Sequence, residues 1–132
     1  MLKEIRQEDV VEVRLFYNGS PEELLEEAVS KSNSIDAILD EEPVVVGGVR
    51  EEFPGSKTAW IWMIGSPLLN QLKYKKELLK RAKPLINKYL EEYNCLFNYC
   101  SNNPSTLRLL TRLGFTIQDL PDPTIKYFYI TR

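Results

Sequence analysis

The period of apolar and polar positions changes several times along the chain, and each change marks an expected element. Leu2–Arg6 reads as a short strand. Gln7–Tyr17 carries Val10, Val13 and Phe16 at helical spacing, a weak helix that should stop at the turn Asn18-Gly19. Ser20-Pro21-Glu22-Glu23 joins a capping hydroxyl, a proline at the first helical position and acids at the positive end of the helix dipole. The helix it starts should run to about Ser30, before the polar break Lys31–Ser34. Three strands should follow, over Ile35–Leu39, Val44–Val49 and Thr58–Ile64, as an antiparallel meander. Asp40–Pro43 and Phe53–Ser56 read as the turns between them, and Gly47-Gly48 predicts a bulge or a close backbone approach.

From Leu69 to Tyr93 the period becomes helical. Leu72, Leu78, Leu79, Ala82, Leu85, Ile86, Tyr89, Leu90 and Tyr93 form one stripe, which Pro84 should kink or split. Cys95–Cys100 is a compact apolar strand. Pro104–Leu113 is a helix begun by Asn102 and Asn103 and ended by Gly114. Phe115–Leu120 and Tyr127–Thr131 should be two last strands, separated by Pro121-Asp122-Pro123. The expected order is strand, two helices, three strands, helix, strand, helix, two strands, in one domain spanning 1–132.

Composition narrows the chemistry. With 43% apolar and 27% charged residues, 132 residues make one ordinary globular core. No apolar run reaches the roughly 20 residues that span a bilayer. An N-terminus that turns acidic at once does not read as an export signal, so the expectation is a cytoplasmic protein. There is no histidine, which excludes Ser-His and Cys-His catalysis and the common zinc sites. Cys95 and Cys100 are an odd number apart, on opposite faces of a strand, and read as free thiols. Proton transfer is left to carboxylates, lysines and tyrosines.

The net charge of −2 is unevenly spread. Residues 1–55 hold 14 acids and 5 bases, and residues 56–132 hold 5 acids and 12 bases. The basic half could attract an anionic ligand, or simply complement the acidic half. Seven bases lie between Lys73 and Lys88. Nucleic-acid binding through them is nonetheless disfavoured, since the chain is net acidic and no aromatic stacking platform is evident.

One stretch is similar in detail to a known family. Asn103-Pro104-Ser105-Thr106-Leu107-Arg108-Leu109-Leu110-Thr111-Arg112-Leu113-Gly114-Phe115 resembles the Asn-x-x-[Ala/Ser]-hydrophobic-x-Leu-Tyr-x-x-Leu-Gly-Phe signature of the GNAT superfamily of N-acetyltransferases, with the same spacing from Asn to Gly. The element order also matches. The resemblance implies an α+β fold, a GNAT-like mixed sheet of about six to seven strands flanked by about four helices. From Trp60 onward the chain also resembles small internal virion or assembly proteins of short-tailed phages, themselves divergent GNAT relatives. That resemblance would put it in a host cytoplasm or a virion, among other phage proteins.

The resemblance further implies acetyl-CoA as cofactor and an amine acceptor on a protein or a small molecule. By position, backbone groups of Trp62–Ser66, Ile64 and Gly65 among them, would hold the pantetheine arm. Aligning Leu78-Leu79 on the family's usual leucines puts Asn70, Lys73 and Lys75 at the pyrophosphate-loop positions. Lysine has there replaced both small residues that allow close backbone approach. Lys73, Lys75 and Lys76, with Lys80 and Arg81, could attract the phosphates through their side chains, and Asn103 would complete the cofactor-binding set. The catalytic positions depart further. Leu110 stands where a tyrosine acid is common, and Asn98 where ribosomal-protein-type members carry a glutamate base. General acid–base catalysis contributes roughly 10²–10⁴-fold, so positioning and a substitute group could sustain activity. Tyr99, Glu51 and Glu52 are the candidate substitutes. An acyl-CoA-dependent N-acetyltransferase and a catalytically inactive assembly or interaction protein on the same fold both remain open.

Overall fold

The computed structural model describes residues 2, 4–40 and 42–132. Lys3, in the expected first strand, and Glu41, in the expected Asp40–Pro43 turn, lie outside them. The elements are α1 (Gln7–Phe16), α2 (Pro21–Lys31), β1 (Ser34–Leu39), β2 (Pro43–Glu51), β3 (Thr58–Gly65), a 3₁₀ turn (Pro67–Asn70), α3 (Leu72–Glu92), β4 (Cys95–Ser101), α4 (Pro104–Arg112), β5 (Thr116–Asp119) and β6 (Ile125–Thr131). The six strands form one mixed sheet in the order β1-β2-β3-β4-β6-β5. With four α-helices among the described residues, this is the expected α+β class.

One expectation needs correction, and another is narrowed. No strand forms at residues 2 and 4–6. Leu2 and Ile5 instead pack against one cluster of Leu25, Val46 and Ile64, and a separation of three suits a shared contact better than a strand's alternation. Pro84 does not split the third helix, and α3 runs unbroken through it. The cost of the missing N–H is offset by burial of Ile86, Tyr89, Leu90 and Tyr93 on the following turns.

The chain divides into two compact units, Met1–Arg50 with Trp62–Leu78, and Glu51–Ile61 with Leu79–Arg132. In the first unit β1 and β2 pair antiparallel, with a register shift at Ile38/Leu39. The glycines of β2 mark a close approach and not the bulge: a Cβ on Gly47 would stand 2.7 Å from the Trp62 carbonyl oxygen. Val44, Val49 and Leu69 are fully buried here. In the second unit β3 and β4 run parallel from Thr58↔Cys95 to Trp60↔Phe97. β6 pairs antiparallel with β4 over seven residues and with β5 on its other side. Leu96, Ala59 and Cys100 fill the core of this unit, with Phe115 packed edge-on against Phe128.

Candidate functional site

In the first unit, β3 leads through Ser66 into the 3₁₀ turn and the first residues of α3. Ile64 is buried in the Leu25–Val46 cluster. Gly65 is committed twice. Its N–H donates to Asp9 Oδ2 at 2.8 Å and its carbonyl accepts from the Arg6 N–H. A Cβ there would meet Leu69 Cδ2 at 2.6 Å, so any larger residue would have to displace the buried Leu69 side chain. Asp9 is itself buried and held by the Arg6 guanidinium, at 3.1 and 3.2 Å. An ion pair at the N-terminal end of α1 therefore fixes the end of β3, a link that no local pattern in the sequence announces.

Ser66 was not singled out by sequence. Its N–H donates to the Val44 carbonyl, while its buried Oγ has no partner among the described residues. Beyond it, Asn70 is exposed at the end of the 3₁₀ turn, and Lys73, Lys75 and Lys76 are exposed on the opening turns of α3. That first turn holds no acid. Lys73 Nζ lies 4.6 Å above the Tyr74 ring, and Tyr74 donates its hydroxyl to Asp40 Oδ2 at 2.6 Å. This bond to a carboxylate, together with burial, raises the Tyr74 pKa and keeps the phenol neutral.

In the second unit, Asn103 caps α4, its Oδ1 accepting from the Ser105 and Thr106 N–H groups at 2.9 and 3.2 Å. The helix closes with the Gly114 N–H on the Thr111 carbonyl and the Phe115 N–H on the Leu110 carbonyl, around Gly114 at φ +98°. Leu110 brings only an aliphatic side chain to this helix. Asn98 bridges strands: Nδ2 donates to the Ile61 carbonyl at 2.6 Å, one residue past the Trp60↔Phe97 pair, and Oδ1 accepts from the Tyr99 N–H at 2.7 Å.

The three candidate proton-transfer groups are not brought together. Glu51 accepts from the Tyr93 hydroxyl at 3.3 Å and the Gly55 N–H at 3.2 Å, and Glu52 accepts from Thr58 Oγ1 at 3.1 Å. Thr58 pairs with Cys95, and Tyr99 lies four residues farther along β4, roughly 13 Å at strand rise. Tyr99 belongs to a run of rings that corrects the reading of no stacking platform. Centroid separations are 4.4 Å for Trp60–Phe97, 6.2 Å for Trp60–Tyr99, 5.3 Å for Tyr99–Tyr127 and 5.6 Å for Tyr127–Tyr129. Sequence showed each ring, but only the register of three strands lays them side by side. Burial, then the Glu52 charge, pushes the Cys95 thiol up; burial first, with Glu52 among smaller causes, does the same to the Tyr127 phenol.

No protein-family model matches the chain, and no curated protein matches it in sequence. Solved structures do match in fold. A Bacillus subtilis acetyltransferase in complex with CoA superposes with a TM-score of 0.64 at 14% identity, covering 98% of this chain and 97% of that one. A ribosomal L7/L12 α-N-protein acetyltransferase in complex with coenzyme A gives 0.62 at 12% identity, over 86% and 73% of the two chains. A GNAT-family acetyltransferase from Bacillus anthracis gives 0.64 at 13% identity, over 95% and 82%. The chain therefore has the fold of the GNAT acetyltransferases.

Proposed function

We propose that this protein is an acyl-CoA-dependent N-acetyltransferase acting on an amine of a protein or a small molecule. The observation that carries the reading is the likeness, over nearly the whole of both chains, to an acetyltransferase solved with CoA. The residues of the first unit fit such a cofactor in part. Lys73, Lys75 and Lys76 stand at the positive end of α3 with no acid in its first turn, an arrangement that an anion relieves. The Ser66 hydroxyl, without a partner among the described residues, suits an amide of the pantetheine arm. The Gly65 N–H, given to Asp9, is a departure from the family pattern. When bound, acetyl-CoA supplies an activated thioester, and the chain's own residues hold its phosphates and orient it. Titration calorimetry should show saturable acetyl-CoA binding, weakened about tenfold or more by joint Lys73→Gln, Lys75→Gln and Lys76→Gln as charge-assisted contacts are lost. No heat, and no competition by CoA, would end the proposal.

A second reading, a protein that keeps the fold without catalysis, is favoured by one observation. Asn98 is spent on Ile61 and Tyr99, and Leu110 cannot give a proton, so neither usual position performs acid–base work. The sequence resemblance from Trp60 onward suggests a phage assembly role for such a protein. Cofactor-dependent acetylation of an amine panel, lost in the triple lysine variant, would rule it out.

A further inference from the structure

β3, β4 and β6 present two different faces in the second unit. Strand alternation and the observed register put Trp60, Phe97, Tyr99, Tyr127 and Tyr129 on one face. Both helices of the unit are tied to the other. Phe115, just past α4, packs on Phe128, and Arg132 donates to the Leu90 and Glu91 carbonyls of α3. The aromatic face keeps Tyr99 39% exposed and leaves Trp60, Tyr127 and Tyr129 half-buried. Its strand positions carry no lysine or arginine, because Lys126 and Arg132 alternate to the opposite face. A carboxylate stands at one end. Glu52, exposed, is bonded to Thr58, which shares the face with Trp60.

We propose that this face docks a lysine- or arginine-rich polypeptide segment, its cations seated over the rings and drawn to Glu52. Aromatic faces attract guanidinium and ammonium groups through the ring quadrupole, and a carboxylate at the margin adds the complementary charge. The acidic end, with no base among the strand positions, works against a nucleic-acid backbone even though the rings are spaced for stacking. The proposal does not depend on cofactor binding, and its test contains no CoA.

Short oligolysine and oligoarginine peptides would be titrated into the full chain by calorimetry at low and high salt, alongside oligo(dT) and an oligoglutamate. Binding of the cationic peptides is expected, with arginine the tighter. Tyr99→Leu should weaken it about two- to fivefold, and Glu52→Gln should weaken it and reduce its salt sensitivity. Circular dichroism would check that Tyr99→Leu is folded; Glu52→Gln, at an exposed carboxylate, tests the same face should it not be. No binding of either cationic peptide, binding unchanged in a folded variant, or preference for oligo(dT) would each overturn the proposal. So would a dimer in sedimentation velocity that Tyr99→Leu dissociates, because the face would then belong to a second copy.

Discussion

The Asn98 side chain uses both ends of its amide, donating to the Ile61 carbonyl and accepting from the Tyr99 N–H. A carboxylate of the same shape could do only the second. Asn98→Asp should therefore lose about 1–3 kcal/mol by setting an acceptor against a carbonyl, read as a lower urea midpoint. An unchanged midpoint would mean that the bridge contributes nothing to stability. Sequence could show that the usual base is absent here, but not what replaces it, because Ile61 is 37 residues away. Asp9 was illegible for the same reason: its partner, the Gly65 N–H, lies 56 residues on. Asp9→Ala would strand that N–H and leave Arg6 paired with Glu8 alone among the described residues, and a loss of about 1–3 kcal/mol is expected in chemical denaturation.

At the scale of elements, α4 was readable because every bond that bounds it is local. Asn103 caps it two and three residues ahead, and Gly114 ends it against Thr111 and Leu110. Asn103→Ala should cost about 1 kcal/mol. Gly114→Ala should cost about 1–2 kcal/mol, since its left-handed backbone suits only glycine, though the nearest atom, Ile130 Cδ1, is 3.4 Å from a new Cβ. Both are measured as shifts in melting temperature, and their order would test the assignment of the two caps. α3 stays one helix through Pro84, where the local rule left a kink or a split open and burial of the turns that follow opposes the split. The aromatic face was missed because Trp60, Tyr99 and Tyr127 are ordinary strand residues until the register aligns them.

For the whole molecule, the tyrosines set an alkaline limit. Tyr93 and Tyr127 are raised chiefly by burial, and Tyr74 chiefly by its bond to Asp40. Each folded pKa lies above the unfolded value of about 10, so each contribution is fully present below that pH and is lost as pH rises through the folded value. The melting temperature should hold to about pH 10 and then fall. A level melting temperature well beyond that point would contradict the assignment. The strand order carries a kinetic consequence as well. β6 follows β5 in the chain but sits inside it, between β4 and β5. Until β6 arrives, seven residues of β4 have no antiparallel partner, and that open edge can accept the β6 of another molecule. Refolding should therefore yield exchanged dimers in proportion to chain concentration, while dilution should return the monomer.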